Sequence, residues 1–145
     1  DGIIRTSVRK FSREFILKKL TLDYKPVNYT VLTDEKWLTF VIEQIISNAV
    51  KYTTEGSVRI YMNEQGILCI EDTGIGISAE DLPRIFENGY TGFNGREDKR
   101  ASGIGLYLCK RITENLGHTI SAESQPGRGT TIILDLTAAR LVTDD

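Results

Sequence analysis

From Glu35 to about Lys51 the apolar residues Leu38, Val41, Ile42, Ile45, Ile46 and Ala49 fall on one stripe at helical spacing. Beyond Thr53, Thr54 and Gly56 the period shortens to that of a strand. This change of period constrains the fold more than any other feature of the chain. Ser57 to Met62 and Ile67 to Glu71 read as two strands joined across Asn63-Glu64-Gln65-Gly66, a connection that suits an antiparallel hairpin and no parallel crossover. A helix with one apolar stripe beside such a hairpin requires a second layer to cover that stripe. Thr33 or Asp34 stands where an N-cap belongs.

The flanking segments extend the same plan. Residues 3 to 19 predict a first helix, with Ile3, Ile4, Val8, Phe11, Phe15, Ile16 and then Leu20 on its apolar side. Leu20 to Tyr24 alternates as a half-buried strand until Pro26 breaks it, and Tyr29 to Leu32 is a further short extended candidate. A third helix is expected from Gly103 through Leu106, Leu108, Ile112 and Leu116 to a stop at Gly117. Ile120 to Glu123 and Thr130 to Leu136 close the chain as strands about the Pro126-Gly127-Arg128-Gly129 turn. The expected architecture is an α/β two-layer sandwich: a mixed, mainly antiparallel sheet of about five strands with three helices on one face.

The 145 residues fit a single domain, and 18 basic against 20 acidic residues give no electrostatic case for nucleic acid or an anionic membrane as partner. No apolar run approaches the roughly 18 residues of a membrane-spanning helix. Cys69 and Cys109 lie far apart with no second pair to form a disulfide framework or zinc site, so a reducing cytoplasm is the simplest setting. The chain opens at Asp1, its single methionine is Met62, and no signal peptide is present. An excised domain is expected.

Ten of the 13 glycines fall between Gly74 and Gly129, and that crowding directs attention to ligand contact. Asp72-Thr73-Gly74-Ile75-Gly76 places a carboxylate at a strand end beside two glycines. Such a carboxylate can accept from an exocyclic amine, which adenine presents where guanine presents a carbonyl. In isolation the same residues suit a plain Asx or glycine turn. Gly74 to Ala79 also satisfies G-x-G-x-x-A, but a dinucleotide-binding helix would have to run through Pro83, and no G-x-x-x-x-G-K-[ST] loop occurs. Ser102-Gly103-Ile104-Gly105-Leu106, after Lys99 and Arg100, sets bare backbone N–H groups at a helix start, where anions bind. Along the second helix, at roughly 100° per residue, Gln44, Asn48 and Lys51 share a sector of about 60° beside the apolar stripe, while Glu43 points roughly 140° away from Asn48. An amide oxygen at Asn48 can ligate Mg²⁺ and Lys51 can neutralise phosphate; alone, these residues equally suit a solvated helix flank. Arg84 to Ser102 is a charged, irregular stretch of the kind that forms a lid or an insertion.

Taken in order, these segments resemble the sequence boxes of sensor histidine kinases. Glu43 to Thr53 looks like the N box, Asp72 to Gly76 the G1 box, Arg84-Ile85-Phe86-Glu87 the F box, Ser102 to Leu106 the G2 box, and Gly127-Arg128-Gly129-Thr130 the final glycine turn. The ordered set is similar to the catalytic and ATP-binding domain of bacterial two-component kinases, within the gyrase, Hsp90, histidine kinase and MutL superfamily and its Bergerat fold. Phe86 to Arg96 further resembles the subgroup that senses cell-envelope stress and antimicrobial peptides.

The resemblance implies ATP and Mg²⁺ as cofactors and a set of site residues. Asp72 would meet the adenine amine, with Gly74, Gly76 and Ile77 around it and Tyr52 packing near the nucleotide; Thr130 would reach adenine through water. Asn48 would hold Mg²⁺, with Gln44 as a second candidate, and Lys51 with the backbone of Gly103, Ile104, Gly105 and Leu106 would meet the phosphates. Residues 84 to 102 would be the ATP lid, anchored by Phe86, with Arg84, Arg96, Lys99 and Arg100 as candidate phosphate contacts. One departure stands out: histidine kinases commonly carry Asn four residues before the metal-binding Asn, and this chain has Gln44.

Hydrolytic members of the superfamily have a glutamate there as general base; Gln44 cannot take a proton, which favours phosphoryl transfer over ATP hydrolysis. No acceptor is evident, since His118, the single histidine, reads as a strand-edge residue. The resemblance therefore implies an upstream dimerisation domain carrying the phosphoacceptor histidine, a response regulator as the next acceptor, and membrane attachment only through upstream segments of a full-length protein, this domain being cytoplasmic. The alternatives are a nucleotide-dependent anti-sigma factor that phosphorylates serine, and a superfamily ATPase of the mismatch-repair or chaperone type.

Overall fold

The computed structural model describes residues 1–26, 33–63, 65–87 and 105–137. Among them, helices α1 (Gly2–Lys10) and α2 (Ser12–Lys18) precede strand β1 (Thr21–Tyr24), and the long helix α3 (Glu35–Lys51) precedes the hairpin of β2 (Ser57–Met62) and β3 (Ile67–Asp72). A 3₁₀ turn (Leu82–Arg84), helix α4 (Gly105–Asn115), and strands β4 (Thr119–Gln125) and β5 (Gly129–Asp135) complete the described chain. The strands form one sheet in the order β1-β2-β3-β5-β4, in which β1 pairs with β2 in parallel and every other pair is antiparallel.

Helix α3 has the boundaries its stripe implies. Asp34 caps it by accepting from the Trp37 N–H at 3.1 Å, which satisfies one of the orphan donors of the first turn. Val41, Ile42, Ile45 and Ile46 are fully buried on the sheet side, against Val58, Ile60, Leu68, Ile70 and Leu134, the alternate residues of the three central strands. Register follows from that alternation: Ile60 opposes Ile70, and Ile70 opposes Ile132, so a one-residue slip would turn every one of these side chains to the open face. On the two flanks of α3, Lys10 of α1 pairs with Glu43 at 3.0 Å and Cys109 of α4 lies 3.8 Å from the Val41 carbonyl. Burial pushes the Cys109 thiol up to about 12, so it acts as a small apolar side chain.

The structure departs from the sequence reading in two places. Four α-helices, not three, are described, because the segment from 3 to 19 breaks at Phe11, whose backbone (φ −102°, ψ 8°) ends α1 with a 3.1 Å bond from its N–H to the Val8 carbonyl. Ile16, expected on the apolar side, is 74% exposed and Leu17 70%. The break resets the helical phase, and Lys19 in the left-handed region (φ 56°) then turns the chain down into β1, so Phe15 and Leu20 are buried and the two aliphatics between them are not. The extended candidate Tyr29 to Leu32 lies outside the described residues.

Candidate functional site

One end of the sheet carries a row of side chains in register. Ser124 of β4 opposes Thr130 of β5, Thr130 opposes Asp72 of β3, and Asp72 opposes Val58 of β2. Cross-strand partners share a face, so this row lies on the helix side of the sheet. Asp72, the polar member of its strand's buried set, is only 9% exposed. Its Oδ1 accepts from the Gly74 N–H at 2.9 Å and from the Thr130 N–H at 3.2 Å, and Oδ2 takes no hydrogen bond from the described residues. Burial pushes the carboxyl above the usual carboxylate range, against the pull of those two N–H groups. A carboxylate fixed at one oxygen and open at the other is a poor structural element and a good ligand group.

The glycines beside it are there because backbone segments cross within van der Waals distance. A Cβ on Gly74 would collide with the Tyr52 carbonyl at the end of α3, and one on Gly129 (φ +93°) with the Asp72 carbonyl. The loop from 73 to 81 is tied to the β4–β5 turn by the Gly127 N–H donating to the Ile75 carbonyl at 2.7 Å and to α3 by the Ile75 N–H donating to the Tyr52 carbonyl at 3.3 Å. No α-helix begins in residues 73 to 87; Pro83 sits in the 3₁₀ turn, which closes the dinucleotide-binding alternative. Beyond it Ile85 is buried and Phe86 packs on the core, with the Lys110 ammonium 5.7 Å from its ring centroid.

The second half of α3 runs alongside. Gln44, Asn48, Lys51 and Tyr52 are all half-buried, and Tyr52 is the residue whose carbonyl meets Gly74. At the other end of this flank, a Cβ built on Gly105 would lie 3.1 Å from Gln44 Oε1, so Gln44 stands against the start of α4. From Tyr52 back to Gln44 the helix rises about 12 Å. A ligand lying along it would have Asp72 and Thr130 at one end and the N–H groups of the first turn of α4, from Gly105 and Leu106, at the other. Glu43, on the opposite flank, is held by Lys10. Gly103, Ile104, Arg96, Lys99, Arg100 and the lid beyond residue 87 lie outside the described residues.

The donor set suits a cation that brings ligands with it. No group of three or more His, Cys, Asp or Glu that could hold a metal occurs among the described residues. The Asn48 amide oxygen on this flank, with that of Gln44 one turn earlier, fits Mg²⁺, which keeps waters and phosphate oxygens and takes few protein ligands.

Two residues escaped or defied the sequence reading. Ser124 was not singled out, yet its Oγ meets the Ile77 N–H, the Gly129 carbonyl and the Thr130 hydroxyl at 2.7, 2.8 and 2.9 Å. The signal available was its mirror position to Thr130 across the Pro126-Gly127 turn. His118 does precede the edge strand β4, but its side chain is buried, with Nε2 3.0 Å from Thr33 Oγ1 and Nδ1 without a hydrogen-bond partner among the described residues.

Comparison with known proteins agrees with this geometry. The chain is 37% identical over 139 residues to the sensor histidine kinase YxdK of Bacillus subtilis (strain 168), a match covering 90% of this chain and 42% of that protein. It is 42% identical over 116 residues to the sensor protein kinase GraS of Staphylococcus aureus (strain JH1), covering 78% of this chain and 33% of that one. The chain thus spans well under half the length of these relatives. The fold matches the crystal structure of full-length ShkA in complex with AMPPNP with a TM-score of 0.75 at 23% identity, covering 94% of this chain and 29% of that one. Residues 33–140 match the description of histidine kinase-, DNA gyrase B- and HSP90-like ATPases, and with sensor histidine kinases as its curated relatives the chain belongs to that ATPase family.

Proposed function

We propose that this chain binds ATP with Mg²⁺ and donates the γ-phosphoryl group to a histidine on a separate helical dimerisation domain, for onward transfer to a response-regulator aspartate. The observation that carries the reading is Asp72, a buried carboxylate pinned through Oδ1, whose Oδ2 takes no hydrogen bond among the described residues and can accept from the exocyclic amine of adenine. Thr130, whose N–H holds Oδ1, flanks the carboxylate, Tyr52 would pack near the base, and Gly74, Gly76 and Ile77 form the loop at its edge. Asn48 would hold the metal, with Gln44 beside it, and Lys51 with the first turn of α4 would neutralise and orient the phosphates. Held by Asn48 with Gln44 beside it, Mg²⁺ would supply positive charge against that which builds up on phosphoryl transfer.

Phosphoryl transfer asks mainly for positioning and charge neutralisation, and these residues supply both without a nucleophile of their own. Gln44 cannot accept a proton and Glu43 is engaged by Lys10 away from the Asn48 flank, so neither of these helix residues serves as a base to activate water there. His118 is buried and bonded to Thr33, which fits an acceptor histidine located on another domain. The proposal includes the envelope-stress-sensing subgroup that Phe86 to Arg96 resembles, and a full-length protein held in the bacterial membrane by segments outside this domain. Among the described residues no helix is long and apolar enough to cross a membrane.

Calorimetric titration of Mg-ATP and Mg-GTP into this domain and its Asp72→Asn variant tests the reading. Saturable ATP binding that GTP does not match, weakened by about ten- to a hundredfold in Asp72→Asn, is the expected result. Absence of ATP binding to the wild-type chain overturns it.

A further inference from the structure

Ser124 has a single hydroxyl proton and three polar neighbours. The Ile77 N–H lies 2.7 Å from its Oγ, the Gly129 carbonyl oxygen 2.8 Å and Thr130 Oγ1 2.9 Å. An N–H can only donate and a carbonyl oxygen can only accept. The Ser124 proton therefore goes to Gly129, and its two lone pairs receive the Ile77 N–H and the Thr130 O–H. The reverse arrangement, Ser124 donating to Thr130, would set two oxygen lone pairs against each other at 2.8 Å on the Gly129 side. The direction of the Ser124–Thr130 bond is thus settled by its neighbours: Thr130 is the donor.

The consequence falls on the ligand. With its proton committed to Ser124, Thr130 Oγ1 has only lone pairs left to offer. Its register partner Asp72, on the same face, has Oδ2 without a hydrogen bond among the described residues and, when ionised, is also an acceptor alone. We propose that Ser124 is a specificity-determining positioning residue: by taking the Thr130 proton it creates an acceptor-only edge from Thr130 Oγ1 and Asp72 Oδ2, carried by register partners on one face, which admits a purine bearing a 6-amino group and rejects one bearing a 6-carbonyl. This rests on the nucleotide reading above and adds to it. Asp72 by itself, beside a threonine free to rotate its hydroxyl toward the ligand, would discriminate less, because Thr130 could then donate to a carbonyl.

The test compares ATP with ITP, in which a carbonyl replaces the 6-amino group and N1 carries a proton, by calorimetry in the presence of Mg²⁺. Ser124→Ala frees the Thr130 hydroxyl and is expected to lower the ATP-over-ITP preference about tenfold. Ser124→Thr, which keeps a hydroxyl, restores the preference. Thr130→Val lowers it as Ser124→Ala does, and the double variant lowers it no further, because Ser124 acts through Thr130. A merely structural serine would weaken both nucleotides equally; an unchanged ratio in a folded Ser124→Ala variant overturns the inference while leaving ATP binding intact. If circular dichroism shows Ser124→Ala unfolded, Thr130→Val decides alone, and an unchanged ratio there has the same meaning. Wild-type protein that binds neither nucleotide overturns the nucleotide reading, and this inference with it.

Discussion

Asp72 and His118 are buried side chains whose charged forms burial disfavours, so their pKa values move in opposite directions. The Asp72 carboxyl is held above its ordinary value of 3.8 by desolvation, so the native state binds its proton more tightly than the unfolded chain does. Its favourable contribution is complete below that value and is lost as pH rises through the native one, which makes the neutral-pH carboxylate a cost to the fold. Asp72→Asn keeps an oxygen for the Gly74 and Thr130 N–H groups and removes the charge. Its thermal midpoint at pH 7 without nucleotide is expected to equal or exceed that of the wild type, although nucleotide binding falls; a large loss of midpoint would mean that the carboxylate is structural. His118 goes the other way: burial lowers its imidazole below the ordinary 6.5, with Asp135 pulling weakly upward. Its contribution is present above about 6.5 and lost as pH falls through the native value. Urea midpoints at pH 7.5 and 5.5 should fall for the wild type and fall less for His118→Gln; equal slopes would exclude His118 as the source. The Asp72 position was legible because a carboxylate at a strand end before paired glycines is a local pattern. Ser124 and the burial of His118 were not, since each depends on a partner distant in sequence, Ile77 for one and Thr33 for the other.

At the scale of elements, α3 could be read nearly to the residue because three local signals coincide: the Asp34 cap, the apolar stripe, and the β-branched and glycine residues after Lys51. What the sequence did not show is how its far end is held. Lys18, from α2, donates through Nζ to the Val50 carbonyl at 2.5 Å and lies 3.4 Å from that of Lys51, placing a cation on the negative end of the helix and filling orphan acceptors there. Lys18→Met should reduce stability by about 1 kcal/mol in chemical denaturation. It should also weaken ATP binding, because Lys51 and Tyr52 occupy that last turn; an unchanged denaturation midpoint would show the contact to be dispensable. The first helix was the harder element. Its apolar residues keep helical spacing through Ile16, and nothing local marks Phe11 as a break, so the exposure of Ile16 and Leu17 follows only from where α1 and α2 must sit against α3 and β1.

At the scale of the molecule, the single histidine is buried against Thr33, away from the row of Ser124, Thr130 and Asp72. The isolated chain incubated with γ-labelled ATP should acquire no label, whereas an added domain bearing an accessible phosphoacceptor histidine should; label on His118 would contradict its burial and its bond to Thr33. The sequence by itself determined the two-layer plan, the hairpins, the long helix with its cap, and the ordered boxes that resemble a histidine kinase, because each of these depends on residues close together in the chain. Tertiary structure alone decided that β1 joins β2 in parallel, that β5 enters between β3 and β4, and that the helix facing them is flanked by α1 and α4. Those pairings depend on which apolar faces can be buried together once all are present, and they set Ser124, Thr130 and Asp72 in one row. Local spacing carries no information about a neighbour 58 residues away, the separation across which the Thr130 N–H reaches Asp72.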